Sequence, residues 1–129
     1  MMLTTLILNN NPEVDDKFCV LLSRLIEGRS PLTRLELDET SVTEQGLKVL
    51  VQACYRSTIF ESISVRDCSK INLGEFMWND TAEALTHNCS ITKLDLNNIN
   101  VDPEFQIELD AEIEKNKLIV EHIFPRVHE

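Results

Sequence analysis

Glycine and proline are scarce in this chain, with three and four copies among 129 residues. So few of them argue against low-complexity linkers. No phosphate-binding loop, dinucleotide fingerprint or nucleophile-elbow motif occurs. Hydrophobic residues make up 43% of the chain and charged residues 26%, which is ordinary globular usage and argues against wholesale disorder. The length suits one domain with a sizeable core, so we treat residues 1–129 as a single domain.

Basic residues are also few. Lys and Arg together number 12 against 22 Asp and Glu, which gives a formal net charge of −10. A field of this sign repels phosphate backbones and anionic lipid, so neither nucleic acid nor a membrane surface is expected as a partner. A protein partner with a basic surface fits the charge better. A simpler explanation is that the excess acid keeps the chain soluble.

Long apolar runs are missing as well. None approaches the ~18–20 residues needed to span a bilayer, and the first residues show no secretory signal. We therefore expect a cytoplasmic protein. The four cysteines (Cys19, Cys54, Cys68 and Cys89) have no C-x-x-C spacing, so reduced and mostly buried thiols are expected.

Residues that could support catalysis have simpler structural explanations. His87-x-Cys89 matches no standard zinc spacing. Cys68 falls in a turn, and a nucleophile there would need a nearby base. Asp15 and Asp16 lie where a helix starts, and acids there serve caps and the helix dipole. We predict no enzymatic activity, no cofactor and no metal site.

What the chain does contain is an internal repeat. Leu3 to Asn11 reads L-x-x-L-x-L-x-x-N, and weaker copies begin at Leu32, Phe60 and Ile91. The four starts lie 29, 28 and 31 residues apart, a period typical of repeat architectures. In each copy the L-x-L core predicts a short strand. Its leucine-type residues point into the core and the residues between them point outward.

The residues after each strand predict a helix. In the first copy Phe18, Leu21, Leu22 and Leu25 recur at helical spacing and form one apolar stripe, which ends before Gly28. In the second copy the predicted inner face holds Leu47, Leu50, Val51 and Cys54. Ser41 or Thr43 can cap this second helix, and Ser41-x-x-Glu44 fits a capping box. The third helix is predicted over residues 74–87.

The fourth copy opens its helix with Asp102-Pro103-Glu104, three start signals in succession. Residues 105–114 also alternate apolar and polar, as a strand does. The start signals favour a helix, which leaves Ile107 partly exposed. Residues 118–123 then predict a last strand that closes the stack, within a cap over 118–129.

Strand motif, helix and period together resemble the leucine-rich repeat family, in its ribonuclease-inhibitor-like subtype. The resemblance covers nearly the whole chain. It implies an α/β right-handed solenoid of about four repeats, with parallel strands on a concave face and helices on a convex face. The family's turn asparagine is present only as Asn11, and Thr40, Cys68 and Ile99 stand in its place. The short array is also similar in architecture to the repeat domain of tropomodulin-type actin regulators.

This geometry aligns the outward strand residues in columns across the concave face. The columns are Thr5, Arg34, Ser62 and Lys93; Ile7, Glu36, Ser64 and Asp95; Asn9, Asp38, Arg66 and Asn97; and, at the edge, Asn10, Glu39, Asp67 and Asn98. The face is polar and mixed in charge, and arginine is favoured at protein hot spots. The predicted partner-binding residues are Arg34, Glu36, Asp38, Ser64, Arg66, Lys93 and Asp95.

A structural explanation competes with this one, because both arginines have acidic neighbours. Arg34 can pair with Glu36 or Glu39, and Arg66 can pair with Asp38 or Asp67. Surface ion pairs of this kind are worth only ~0–1 kcal/mol and serve the fold rather than a partner.

The first copy begins at Leu3, with no capping element ahead of it. Leu3, Leu6, Leu8 and neighbouring helix residues are therefore expected to expose apolar surface, at roughly 1.5–3 kcal/mol per side chain. The first strand is also expected to be a pairing-prone edge. Three explanations stay open: a longer parent array, self-association, or a binding site at this end.

Taken together, these features predict a non-catalytic module that buries its concave face against a protein partner. A cytoskeletal or actin regulator is the first alternative within the binding class. Outside it stand the substrate-recognition arm of a ligase or effector, and an assembly part that docks through its open first repeat.

Overall fold

The computed structural model describes residues 3–28, 30–54, 57, 59–73 and 90–122. Its elements in chain order are β1 (Thr5–Ile7), α1 (Asp16–Glu27), β2 (Arg34–Glu36), α2 (Glu44–Ala53), β3 (Ser62–Ser64), β4 (Asn72–Leu73), β5 (Lys93–Asp95), β6 (Asn100–Val101) and α3 (Pro103–His122). The helix predicted over 74–87, and with it His87 and Cys89, lies outside the described residues, as do residues 123–129.

Four of the strands, one from each copy of the motif, form a parallel sheet in the order β1-β2-β3-β5. Equivalent positions pair: Leu6 faces Leu35, Leu35 faces Ile63, and Ile63 faces Leu94. Parallel neighbours need a long crossover, which α1 and α2 supply. The mixed α/β class with parallel strands is therefore confirmed. β4 and β6 form a second, two-stranded parallel sheet.

The core is well covered in the second and third copies of the motif and less well covered in the first. The leucine-type positions of the second and third copies are almost fully buried: Leu32, Leu35, Leu37, Phe60, Ile63 and Val65. In the first copy Leu3 is 51% exposed, and Leu6 and Leu8 are only partly buried. The predicted apolar exposure at the first repeat is confirmed.

The chain turns at the same place after each strand of the main sheet. One residue there takes the left-handed conformation: Asn10 (φ 63°), Glu39 (φ 55°), Asp67 (φ 58°) and Asn98 (φ 60°). The amide of each of the first three donates to a carbonyl of the next repeat at 2.8–3.0 Å, which prolongs the ladder past the strand. Asn and Asp tolerate this conformation. Glutamate is the poorer fit, so Glu39 is the strained member.

In the first three copies, the motif's asparagine position holds three different side chains that each donate to a backbone carbonyl, and in the fourth it holds Ile99. Asn11 Nδ2 donates to Leu8 O at 2.9 Å, and Thr40 Oγ1 donates to Leu37 O at 2.8 Å. Cys68 Sγ donates to the same Leu37 oxygen at 3.1 Å. The Thr40 hydroxyl therefore replaces the amide within its own turn, whereas the Cys68 thiol bonds back to the turn of the previous copy.

The buried stripe of α1 differs from the predicted one. Its buried residues are Cys19, Leu22, Ser23 and Ile26. Of the predicted stripe only Leu22 is buried, while Phe18, Leu21 and Leu25 are 37%, 55% and 44% exposed. The prediction was wrong because it followed the largest apolar side chains, whereas α2 approaches α1 on the side of its small residues.

The two helices approach closely because Gly46 lies between them. A Cβ at Gly46 would collide with the Asp16 carboxylate and lie 3.0 Å from Cys19 Sγ. That carboxylate accepts a hydrogen bond from Thr43 N at 2.8 Å and another from the Thr43 hydroxyl. An acid on α1 thus satisfies backbone at the start of α2, where the helix dipole favours negative charge.

Helix starts largely follow the sequence signals. Asp15 caps α1, and Thr43 caps α2. The predicted capping box at Ser41 is wrong, because the Ser41 hydroxyl donates instead to Pro12 O at 2.6 Å. At α3, Asp102 Oδ1 accepts from Glu104 N at 2.9 Å, which confirms the predicted helix start.

α3 runs to His122, so the closing strand predicted over 118–123 is wrong as far as the structure describes it. Leu109 and Asn116, seven residues apart, are the buried residues of this helix. Asn116 Nδ2 donates to Ile91 O at 2.8 Å, while its Oδ1 has no partner within the described part of the chain. This contact holds the helix at the start of the fourth copy, and the apolar run beyond it continues as helix.

Glu39→Asn is expected to raise the free energy of unfolding by up to ~1 kcal/mol, because asparagine accepts the left-handed backbone better than glutamate. Urea denaturation followed by circular dichroism measures the change. Glu13→Asn, at an exposed position with ordinary φ, is the matched control. An equal gain in the control would show that charge rather than backbone strain is responsible.

Stability should fall at alkaline pH because burial raises the pKa of two thiols. Burial raises the pKa of Cys54, and burial together with Asp16 raises that of Cys19, from 9.0 to about 12 in each case. The folded chain therefore holds these protons more tightly than the unfolded chain. The thiol contribution to stability is full below about pH 9 and is lost as pH rises toward 12.

Urea titrations between pH 8 and pH 11 test this dependence. The double variant Cys19→Ala/Cys54→Ala should show a shallower loss than the parent chain. The same loss in both proteins would assign the effect to lysine or tyrosine instead.

Candidate partner-binding face

The outward side chains of the main sheet form one polar face, defined here by the columns Thr5–Arg34–Ser62–Lys93 and Ile7–Glu36–Ser64–Asp95. Strand register pairs these residues as the sequence predicts. The predicted contact residues are thereby brought together: Arg34 and Glu36 on β2, Ser64 on β3, Lys93 and Asp95 on β5, with Asp38 and Arg66 just past the ends of β2 and β3.

Asp38 lies beneath this polar face rather than on it. It is 6% exposed, and one carboxylate oxygen accepts from Ser64 Oγ at 2.6 Å and from Arg66 N at 2.8 Å. The other accepts from Arg66 Nε at 3.3 Å and Nη2 at 3.2 Å. A buried charge is tolerable only when its hydrogen bonds are met in this way. Asp38 and the buried Ser64 therefore offer a partner little surface.

Arg66 links two acidic groups across the sheet. Its guanidinium lies 3.2 Å from Asp38 Oδ2 and 3.7 Å from Asp95 Oδ2. The hydrogen bond to Asp38, with the nearby charges of Asp38 and Asp95, raises the pKa of Arg66 above its ordinary value. The side chain is nevertheless 48% exposed, so the fixed guanidinium remains accessible from solvent.

A second set of polar contacts joins the first two strands. Arg34 pairs with Glu36 at 3.4 Å, and Glu36 Oε1 accepts from Asn9 Nδ2 at 3.1 Å. Asn9 Oδ1 in turn accepts from Asp38 N at 2.8 Å. Both predicted arginine pairings with the nearest strand acids are present, and they connect into one network from Asn9 to Asp95.

Sequence reasoning missed the hydrogen bonds of this network that join a side chain to the backbone of the next copy. Asn9 and Asp38 each use a side-chain oxygen to accept the amide of the equivalent position in the next repeat. The signal was present as short polar residues with acceptor oxygens at one column position. Their burial was not visible, because it depends on how the neighbouring turn covers them.

Lys93 and the rest of β5 border an open hollow. Its lining consists of Lys93, Leu94, Asp95, Leu96, Asn97 and Gln106. The hollow lies where β5 forms the edge of the main sheet and α3 begins. Within the described residues Lys93 has no ion-pair partner, whereas Arg34 and Arg66 each pair with an acid.

The described residues hold no group of three or more His, Cys, Asp or Glu side chains placed to bind a metal ion. Within the same ranges, no helix is long and apolar enough to cross a membrane.

The fold defines an α/β domain in which equivalent positions of parallel strands stack into a polar face. No family model and no curated protein sequence matches the chain. Among solved structures, leiomodin-1 actin-binding site 2 superposes with a TM-score of 0.78 at 15% identity, over 98% of this chain and 69% of that one. The Caenorhabditis elegans tropomodulin C-terminal domain gives 0.55 at 14% identity, over 98% and 90%.

At this level of identity the likeness shows the fold. It confirms the similarity in architecture to tropomodulin-type repeat domains. The ribonuclease-inhibitor-like subtype stays a prediction.

Removing Asp38 should weaken the fold more than removing any other acid of the polar face. Asp38→Ala leaves buried donors on Ser64 and Arg66 unsatisfied, so the free energy of unfolding should fall by about 1.5–3 kcal/mol. Asp95→Ala, which removes the more exposed acid beside the same arginine, should cost less than ~1 kcal/mol. Equal losses in the two variants, measured by chemical denaturation, would contradict the buried role of Asp38.

Proposed function

We propose that this chain is a non-catalytic module that binds actin through the polar face of its main sheet. In this proposal the four motif copies form a right-handed leucine-rich-repeat solenoid, and the polar face is its concave surface. One observation carries the proposal: an exposed Arg66 guanidinium, just past the end of β3, is held by Asp38 and Asp95 beside that face. The fold shared with leiomodin-1 actin-binding site 2 supports actin as the partner class.

Fixed charges suit a binding surface. Ordering a free arginine side chain at an interface costs on the order of 0.5–1.5 kcal/mol. Arg66 and Arg34 are already held by acidic neighbours, so binding would order them at less cost. A guanidinium that keeps exposed surface can still meet a carboxylate or carbonyl of a partner.

The charge pattern describes the partner surface it would fit. Lys93 and the two arginines present positive charge, while Glu36 and Asp95 present negative charge between them. A complementary surface must therefore carry both signs at matching spacing, and such complementarity gives specificity and fast association more than raw affinity. Ile7 adds a 58%-exposed apolar side chain at one end of the same face.

A binding role also fits the state of the cysteines. Thiolate is the reactive form of cysteine, and burial raises the pKa of Cys54 to about 12. Cys68 is buried and donates its thiol proton to a backbone carbonyl. These thiols serve packing and, at Cys68, a hydrogen bond to the neighbouring copy.

Arg34→Glu/Lys93→Glu should weaken binding to actin at least tenfold, because it reverses two exposed cations of the polar face without disturbing the Asp38 network. Co-sedimentation with filaments and titration of labelled monomers measure binding to the two forms of actin. A loss of this size corresponds to about 1.4 kcal/mol.

The matched control is Lys70→Glu/Lys117→Glu, which makes the same change in net charge at exposed positions off the polar face. It should bind as the parent chain does. Equal loss in both variants would point to overall charge. Failure of the parent chain to bind either form of actin would overturn the proposed partner.

A further inference from the structure

β1 is an edge of the main sheet, and its outer side carries unpaired backbone groups within the described residues. In the inner repeats, Arg34 N donates to Thr4 O and Ser62 N donates to Thr33 O. The equivalent amide in the first copy is that of Thr5, which points outward. Leu8 N donates to Glu36 O, so the equivalent outward acceptor is the carbonyl of Ile7.

α1 presents apolar side chains on the same side as this open edge. The helix caps Asp15 and Thr43 align α1 with α2 at an offset of 28 residues. With that offset Phe18, Leu21 and Leu25 of α1 correspond to Gly46, Val49 and Ala53 of α2. Gly46 contacts α1 at Asp16 and Cys19. α2 packs on α1 through the face that contains Gly46. The exposed stripe lies on the equivalent face of α1.

We propose that a second copy of this chain covers this surface, which consists of Leu3, the outer edge of β1, and the stripe Phe18–Leu21–Leu25. The two copies pair about a two-fold axis, β1 antiparallel to β1 and α1 antiparallel to α1. This assembly is separate from actin binding and does not rest on it.

The backbone edge of β1 is self-complementary. Residues alternate along a strand, so Thr5 and Ile7 each turn both an N–H and a C=O outward while Leu6 turns both toward β2. An antiparallel pair of identical strands matches the donors of one copy with the acceptors of the other. A two-fold axis repeats each contact, as the interfaces of closed homodimers do.

The size of the side chains favours a second copy over another repeat stacked in the same register. The spacing of α1 and α2 requires glycine at position 46, where any Cβ would collide with Asp16. Phe18 holds that position on α1. A helix cannot approach α1 there as closely as α1 approaches α2, whereas two identical bulky stripes can interdigitate at ordinary interhelical distances of ~8–10 Å.

The exposed apolar area per copy is on the order of a few hundred Å². With strand pairing added, the interface approaches the lower limit of ~1,200 Å² for specific complexes, so a micromolar dimer is expected.

Sedimentation equilibrium on the full chain, from about 1 μM to about 500 μM, tests the dimer across the expected dissociation range. The parent chain should rise from 14.8 kDa toward twice that mass. Leu21→Arg should stay monomeric and folded, since Leu21 is exposed in one copy. The matched control Leu118→Arg, at a 50%-exposed leucine of α3, should dimerise normally.

A parent chain that stays monomeric throughout overturns the proposal. So does an unchanged dimer in Leu21→Arg, or a loss in Leu118→Arg equal to that in Leu21→Arg.

Discussion

The register of the parallel strands is the constraint on which the rest of this molecule depends. Leu35 lies beside Leu6 and Ile63, and every neighbouring pair keeps equivalent positions level. A shift of one residue would turn the buried leucines to solvent and bury the polar face. Because register is kept, side chains from distant parts of the chain meet in columns. The network from Asn9 to Asp95 exists only for this reason.

Within that frame, the buried carboxylate of Asp38 ties packing to the proposed binding surface. It fixes Ser64, the Arg66 backbone and the Arg66 guanidinium together. A side chain that prepares the binding surface therefore also stabilises the turn beneath it. Solvent exposure alone does not separate a stabilising residue from a binding residue here. Arg66 is hydrogen-bonded to Asp38 and is also accessible to solvent.

Much of this could be predicted from the sequence because the motif repeats. One copy of L-x-x-L-x-L-x-x-N predicts a strand, and four copies at a regular period predict which strands are neighbours and which side chains share a column. The columns in turn predict that Arg34 pairs with Glu36 or Glu39, and Arg66 with Asp38 or Asp67. Those inferences depend on period and alternation, which are local.

The failures concern contacts between elements. The inner stripe of α1 was misplaced because Gly46, a residue of the next repeat, decides which side of α1 is covered. Ser41 was predicted as a helix cap, but Pro12, from the previous turn, offers its hydroxyl a carbonyl. Residues 118–123 were predicted as a closing strand, yet the chain as far as His122 continues the helix that Asn116 anchors. In each case the deciding contact joins residues 25–30 positions apart in sequence.

Asn116 carries a consequence for how the last helix can move. Its side-chain Nδ2 donates a hydrogen bond to the buried Ile91 carbonyl. A helix attached only by apolar side chains can slide or roll at modest cost, but a hydrogen bond of fixed length at its inner surface resists both. The bond between Asn116 and Ile91 therefore gives α3 one position and one rotation relative to the start of the fourth motif copy.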